Sequence, residues 1–455
     1  MGNSIDPKGF NIDQAVEHLS QAIQINTVSY PDYQATDFAR YEEFLHFLEK
    51  AYPSVNRVCQ REIINDYCPF YLWKSESGQG KKPILLIGHY DVVPVEAENE
   101  WEEPPFSGAV KDGFIWGRGA LDNKQQVISV MEAAEYLINA GFQPDRDIYL
   151  VFGYDEEVGG ERGAAQAAQY FKEQGIEFEC VIDEGGCIAD GIMEGLVVPA
   201  ALIGIAEKSW SNIRITVSGQ GGHSSMPPQH TAIGKLAQII ASVENNPMPA
   251  HLIMPVQEMF KKMAPYMPGK KPILKNIDRL FPLLKSMLSK SPTTNAMIRT
   301  TVAFTMTEGG EAPNVLPQKA SVVANLRILH GDSVDQVIAH IRKVNPGMDF
   351  EVEKTLVGDI SGISPIDVPP YQLLERIIGE MYPQAVVLPY LMAGGTDSRK
   401  YAGVCDKIYR FSAMVLDPQE YASIHSTNER ISIENLASII EFYCRFLSAY
   451  DYKNM

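Results

Sequence analysis

A histidine and an aspartate two residues apart close an apolar run, Ile84-Leu85-Leu86-Ile87-Gly88-His89-Tyr90-Asp91. On extended backbone, residues i and i+2 share a face. His89 can therefore bind an ion through one ring nitrogen while Asp91 accepts the other ring N–H and fixes the tautomer. More carboxylates follow, each just past another apolar stretch: Asp122 after Gly117-Arg118-Gly119-Ala120-Leu121, the pair Glu156-Glu157, and the pair Asp183-Glu184. Imidazole with several carboxylates suits zinc, with cobalt or manganese as alternatives. Asp122 competes between capping the helix that follows and bridging two ions about 3.5–4 Å apart; the bridge is the stronger reading. Asp155, Glu156 and Glu157 are three successive acids, costly to bury without a cation. Glu157 is read as a ligand and Glu156 as a general base acting on an ion-activated water. Asp183 is expected to complete the first ligand set, with Glu184 supporting it.

These residues need a scaffold that gathers strand ends, as open α/β sheets do. The first half alternates helical and strand signals: helices over 12–25, 37–51, 124–140 and 163–175, strands over 84–88, 148–153 and 180–182. That rhythm implies helices covering a mostly parallel sheet. After Ile203 the texture changes to a β-α-β-β-α-β order, with strands near 210–217, 298–306, 320–328 and 349–354 and helices over 232–243 and 334–344. From Pro369 the α/β texture returns, with helices over 371–381 and from Ile433. The expected architecture is α/β: a discontinuous catalytic domain (1–205 and 357–455) carrying an inserted two-layer α+β lid and dimerisation domain (206–356). The Met-, Pro- and Lys-rich stretch 247–292 is too long for an ordinary loop and is expected to hold short helices.

The chain has 455 residues, more than one ordinary domain. Asp and Glu outnumber Lys and Arg by 57 to 39, a formal charge of −18, and no basic stripe with interleaved aromatics appears, so a nucleic-acid partner is not expected. No apolar run approaches the roughly 20 residues that cross a bilayer, and no secretory signal is visible. Six scattered cysteines do not resemble a disulfide framework; reduced thiols and a cytoplasmic location are expected.

The motifs GHYDVVP (88–94), PPFSGAVKDGFIWGRGALDNK (104–124), DEEVGG (155–160), DEGG (183–186), GGHSSMPP (221–228), NVLP (314–317), GGTDSR (394–399) and IHSTNER (424–430) occur in an order that strongly resembles the M20 metallopeptidase family, in its carboxypeptidase S-like branch. The resemblance spans nearly the whole chain. It implies two zinc ions, one held by His89, Asp122 and Asp183, the other by Asp122, Glu157 and His425, with Glu156 as base and Asp91 orienting His89. His425 rests on the resemblance alone. So does His223 as the residue that stabilises the oxyanion, from a domain that dimerises in relatives. Asn314, Arg327, Gly394, Gly395, Thr396 and Arg399 become candidate substrate contacts, either arginine suiting a terminal carboxylate. The implied activity is hydrolysis of a peptide or amide bond beside a free carboxylate, on small peptides or N-acyl amino acids. Alternatives are a long-chain N-fatty-acyl-amino-acid hydrolase/synthase and an inactive regulatory binder. Apolar side chains of 252–287, Met259 and Phe260 among them, are read either as packing against the inserted domain or as the entrance for a long acyl group.

Overall fold

The structure is a computed structural model that describes residues 5–76, 80–96, 98–358 and 361–449. Its larger sheet is mixed. At its centre the strands Ile148–Gly153, Ile84–His89, Cys180–Asp183 and Ile408–Arg410 run parallel, in that spatial order. Antiparallel strands flank them, Cys68–Trp73 on one side and Ala200–Glu207 on the other. The strand Ile84–His89 is buried along its whole length, which is why it reads as an unbroken apolar run rather than an alternating one. Helices Ile12–Gln24, Lys124–Asn139 and Ile433–Ala449 pack together beside this sheet, and their apolar side chains join one continuous core. Even the polar residues of helix Lys124–Asn139 are used internally: Gln126 donates to the Ile87 carbonyl and accepts from Ser412 Oγ.

A second, antiparallel sheet is ordered Thr301–Glu308, Lys319–Ile328, Ser209–Ser218, Glu351–Val357. The strand Ser209–Ser218 alternates buried and half-buried positions, the pattern of a sheet covered on one face. Helices Ala232–Asn245 and Val334–Val344 supply that cover through Leu236, Ile239, Val337 and Ile341. Thr231 and Ser333 cap their amino ends by accepting from Gly234 N and Gln336 N. The architecture is an α/β catalytic domain with an inserted two-layer domain.

Residues 247–292, between the first helix and second strand of the inserted domain in sequence, include helices Met254–Met263, Lys271–Lys275 and Ile277–Leu288. Met259 and Phe260 are buried, clustered with Leu202, Leu388 and Leu391 of the larger sheet. The packing reading therefore holds for them and the acyl-entrance reading does not. The surface they pack on is corrected as well, from the inserted domain to the catalytic sheet. Strands Ala200–Glu207 and Val386–Met392 present a broad apolar face there, which the two-layer domain leaves uncovered. At the junction Lys208 is buried, and its Nζ donates to the carbonyls of Ala296 and Arg299. No helix among the described residues is long and apolar enough to cross a membrane.

Candidate active site

His89 ends its strand with both ring nitrogens engaged. Nδ1 lies 3.0 Å from the Asp91 carbonyl and 3.3 Å from Asp91 Oδ1. Nε2 faces Asp122 Oδ1 at 3.1 Å and Glu184 Oε1 at 3.0 Å. The second oxygen of Asp122 faces His425 Nε2 at 2.9 Å, and His425 also meets Glu157 Oε1 at 3.3 Å. Asp122 thus joins two ligand sets, His89/Asp122/Glu184 and Asp122/Glu157/His425. Two atoms bound to one zinc at about 2.0–2.1 Å in tetrahedral geometry sit roughly 3.4 Å apart, close to these spacings. Among the described residues no well-aligned hydrogen bond reaches buried Glu157 Oε1, whose one close donor is His425 Nε2 at 3.3 Å, so a cation would satisfy this oxygen. The donor set and its geometry fit a di-metal site of zinc type.

One expected ligand changes. Glu184, not Asp183, stands beside His89 and Asp122. Asp183 is the last residue of its strand, and consecutive strand residues point to opposite sides. Its Oδ2 accepts from Ser398 N at 3.1 Å, so it anchors the GGTDSR loop from behind. Glu207 anchors the same loop, accepting from Thr396 N and Oγ1 at 2.7 and 2.8 Å and pairing with buried Arg410.

The like charges show in the protonation equilibria. Burial first, then the Asp122 charge, pushes Glu157 up to about 7 and Glu184 up to about 8. Glu156 is raised well above the carboxylate range by burial, with Asp397, Glu157 and Glu184 adding to it. The neighbouring Asp122 and Glu157 carboxylates lift His425 to about 10. Burial alone would lower His89, but Glu184, Asp122 and Asp91 together raise it well above its usual value. Glu156 Oε2 sits 4.0 Å from His89 Nε2, beside the cluster. The loop it belongs to is held by Asp91, whose two oxygens accept from Glu156 N at 3.1 Å and Glu157 N at 3.2 Å while Ser29 Oγ donates at 2.7 Å. Asp91 therefore positions a histidine and both glutamates at once.

Glu429 was not singled out from the sequence, although it lies in the IHSTNER motif. It is completely buried. Its Oε1 accepts from the backbone N–H groups of Gly119, Leu121 and Asp122 at 3.0, 2.8 and 3.2 Å, and its Oε2 from Arg118 Nη1 at 2.5 Å. The turn that presents Asp122 is wrapped around this carboxylate. Four donors converging on one buried acid leave no local trace in sequence, since Glu429 lies 307 residues from Asp122.

The remaining candidates lie outside the cluster. His223 and Asn314 are exposed on a small ribbon that pairs Gly222–His223 with Val315–Leu316. Ser225 N donates to His223 Nδ1 at 3.1 Å, which leaves the proton of the neutral ring on Nε2. Arg399 Nη2 donates to the Gly159 carbonyl at 3.3 Å and packs over Gly395, while Thr396 is buried next to exposed Gly394. Arg327 makes no hydrogen bond or ion pair among the described residues. It is half-buried, and burial together with the charge of Arg399 lowers its pKa. The charge of Arg399, on the loop that Asp183 and Glu207 hold, is thus felt at Arg327 on the strand Lys319–Ile328.

Residues 85–449 match the family described as peptidase family M20/M25/M40. The chain belongs to that family. It is 35% identical to N-fatty-acyl-amino acid synthase/hydrolase PM20D1.1 of Danio rerio, over 97% of this chain and 87% of that protein. It is 30% identical to carboxypeptidase S of Saccharomyces cerevisiae, over 96% and 84% respectively. Among solved structures it superimposes on an M20 family metallo-carboxypeptidase, Sso-CP2, from Sulfolobus solfataricus with a TM-score of 0.71 at 17% identity, covering 95% of this chain and 98% of that one. Human carnosine dipeptidase 1 gives a TM-score of 0.63 at 16% identity, covering 96% of each. The protein is an M20-type di-metal hydrolase acting on peptide or amide bonds beside a free carboxylate, of carboxypeptidase or aminoacylase character.

Proposed function

We propose that the chain hydrolyses N-acyl amino acids, long-chain acyl groups included, and that Arg327 binds the free carboxylate of the amino-acid part. The observation that carries this reading is the half-buried Arg327 guanidinium, which has no hydrogen-bond or ion-pair partner among the described residues and feels the charge of Arg399. A substrate carboxylate supplies the charge that both arginines lack, and the bidentate fork of arginine suits it. The acyl half of the proposal is supported by the naming of the Danio rerio relative. Short peptides with a free carboxyl terminus are the second reading, supported by the carboxypeptidase S relative.

In this reading His89, Asp122 and Glu184 hold one divalent ion, and Asp122, Glu157 and His425 hold the other, zinc in each case. The ions supply Lewis acidity toward water and the amide carbonyl. Glu156 takes a proton from the attacking water and returns it to the departing nitrogen, so the products are the acyl carboxylate and the free amino acid. His223 donates its Nε2–H to the developing oxyanion, and Asn314, Gly394, Gly395 and Thr396 orient the substrate. Asp183 is assigned to positioning the 396–398 loop.

We divide the chain into a catalytic domain (1–205 and 357–455) and an inserted domain (206–356), and place a homodimer contact on the latter. Val315 on the ribbon that carries His223 and Met226 next to it are 53% and 82% exposed, and Met306 on the strand Thr301–Glu308 is 61% exposed. A dimer through this face would bring His223 toward a neighbouring subunit's site. Six buried thiols support a cytoplasmic location.

The deciding experiment compares N-acetyl, N-lauroyl and N-oleoyl amino acids with dipeptides, following the products by mass. Each substrate is also offered as its carboxamide. Equal kcat/KM for acid and carboxamide would reject carboxylate recognition, and turnover of dipeptides alone would select the second reading. Light scattering at working concentration tests the dimer.

A further inference from the structure

The helices of 264–290 bury one side against the catalytic sheet and leave the other without a partner. Over 270–290 the chain carries Lys270, Lys271, Lys275, Arg279, Lys285 and Lys290 against Asp278 alone, in a protein whose formal charge is −18. All six cations are exposed, and none makes an ion pair among the described residues. Asp278 is already taken by Lys261 at 2.8 Å. In helix Ile277–Leu288 the buried residues are Ile277 and Leu288, with Phe281 and Leu284 partly buried on the same side. Arg279, Leu283 and Met287 recur every four residues and so form a separate stripe. Leu283 is 79% exposed and Met287 55%. Ile273 on the preceding helix is also exposed, at 36%.

An exposed leucine and methionine set among unpaired cations is the composition of a helix that lies in a membrane–water interface. We infer that this face, carrying Leu283 and Met287 with Arg279 on the same stripe and the exposed cations Lys271, Lys275 and Lys290 on the adjoining chain, docks the protein on an anionic lipid bilayer. The cations meet the lipid headgroups, and the two apolar side chains enter the boundary of the acyl chains. The negative charge elsewhere on the chain does not cancel this attraction, because at physiological ionic strength charges are screened over about 8 Å and the surface responds to the nearest ones. A second copy of the chain is disfavoured as occupant, since a two-fold contact would set cations against cations. An acidic protein would satisfy the charges, but two protruding apolar side chains offer little of the roughly 800 Å² per partner that a stable protein interface buries. A bilayer needs no complementary shape. The docking stands independently of the catalytic reading.

The test floats the full-length, zinc-loaded protein with vesicles of phosphatidylcholine alone and of phosphatidylcholine containing phosphatidylserine, at low and high salt. Flotation with the anionic vesicles only, weakened by salt, is expected. K271E/K275E/R279E should weaken that binding about tenfold or more, and L283S/M287S should also reduce it. Both variants should keep wild-type hydrolysis, because none of these residues belongs to the active site. Single variants R279E and M287S serve as smaller perturbations if a multiple variant fails to fold. Equal flotation with neutral vesicles, no flotation at low salt, or wild-type flotation of folded variants overturns the inference. Capture of polyglutamate without flotation would assign the face to an acidic protein. Loss of self-association in L283S/M287S without flotation of the wild type would assign it to a second copy. Either result overturns the lipid reading.

Discussion

Replacing Glu429 by glutamine removes one charge and almost no volume from a completely buried position. The wild-type carboxylate accepts from three backbone N–H groups through Oε1 and from Arg118 through Oε2. A glutamine has one acceptor oxygen. If that oxygen stays with the backbone groups, the amide NH2 faces the Arg118 guanidinium, donor against donor, and a buried cation loses its partner at a cost of about 3–5 kcal/mol. If the amide is flipped, three backbone donors are stranded at about 1–3 kcal/mol each. Either arrangement is relieved by moving the Gly119–Asp122 turn, which displaces the carboxylate shared by the two ligand sets. Second-layer losses of this kind weaken metal binding about 10- to 100-fold, or roughly 1.4–2.7 kcal/mol. E429Q is therefore expected to lose zinc more readily in chelator competition and to turn over at least about a hundredfold more slowly, since small misplacements of reacting groups cost that much. The double variant R118M/E429Q removes the stranded cation along with its partner. It should unfold at a higher temperature than E429Q alone, a non-additive result that a merely disrupted core would not produce. Wild-type zinc affinity in E429Q, or simple additivity of the two changes, would refute the reasoning.

E156Q should retain both zinc ions while kcat falls by about two to four orders of magnitude, whereas E157Q should lose zinc at the Asp122/His425 position; elemental analysis beside kinetics separates them, and an active E156Q with full metal removes Glu156 as the base. R327A should lower kcat/KM about 10- to 100-fold for an N-acyl amino acid, the worth of a charge-assisted pair, and leave the carboxamide unchanged; an equal loss on both would make the arginine structural. Metal removal should expose a pH-dependent weakness. Glu157 at about 7, Glu184 at about 8 and His425 at about 10 are all raised in the folded, metal-free protein. The stability such groups contribute is fully present below their unfolded values and is lost as pH rises through the folded ones. Lys124 and Lys208, each held down to about 7 by burial, act in the opposite sense above that pH, so the fall is read between about pH 5 and 7. The rise in melting temperature on adding zinc should be larger at the upper end of this window, and a gain independent of pH would count against the crowded-carboxylate account.

Much of the chemistry was legible along the chain because local spacing reports local geometry. An apolar run ending in His89-Tyr90-Asp91 sets two side chains on one face of a strand, and the period of the first half announces strands whose ends converge. The change of texture near Ile203 marked the inserted domain for the same reason. Contacts between distant segments leave no such period. His425 meets Asp122 only because the IHSTNER loop returns to the strand ends, and the family resemblance supplied what spacing could not. The choice between Asp183 and Glu184 turned on which of two neighbours ends the strand, a one-residue matter that reverses the side a carboxylate faces. Glu429 behind Asp122, Glu207 behind Thr396 and the Arg399 charge felt at Arg327 are each set by chain-distant packing. Met259 and Phe260 show the same limit from the other side: their helical stripe was evident, but whether it met substrate or sheet depended on an apolar face that the tertiary fold left to be covered. Sequence determined the donor types and their local aim; the tertiary structure decided which of them share an ion, because that depends on distances across the fold that no residue spacing encodes.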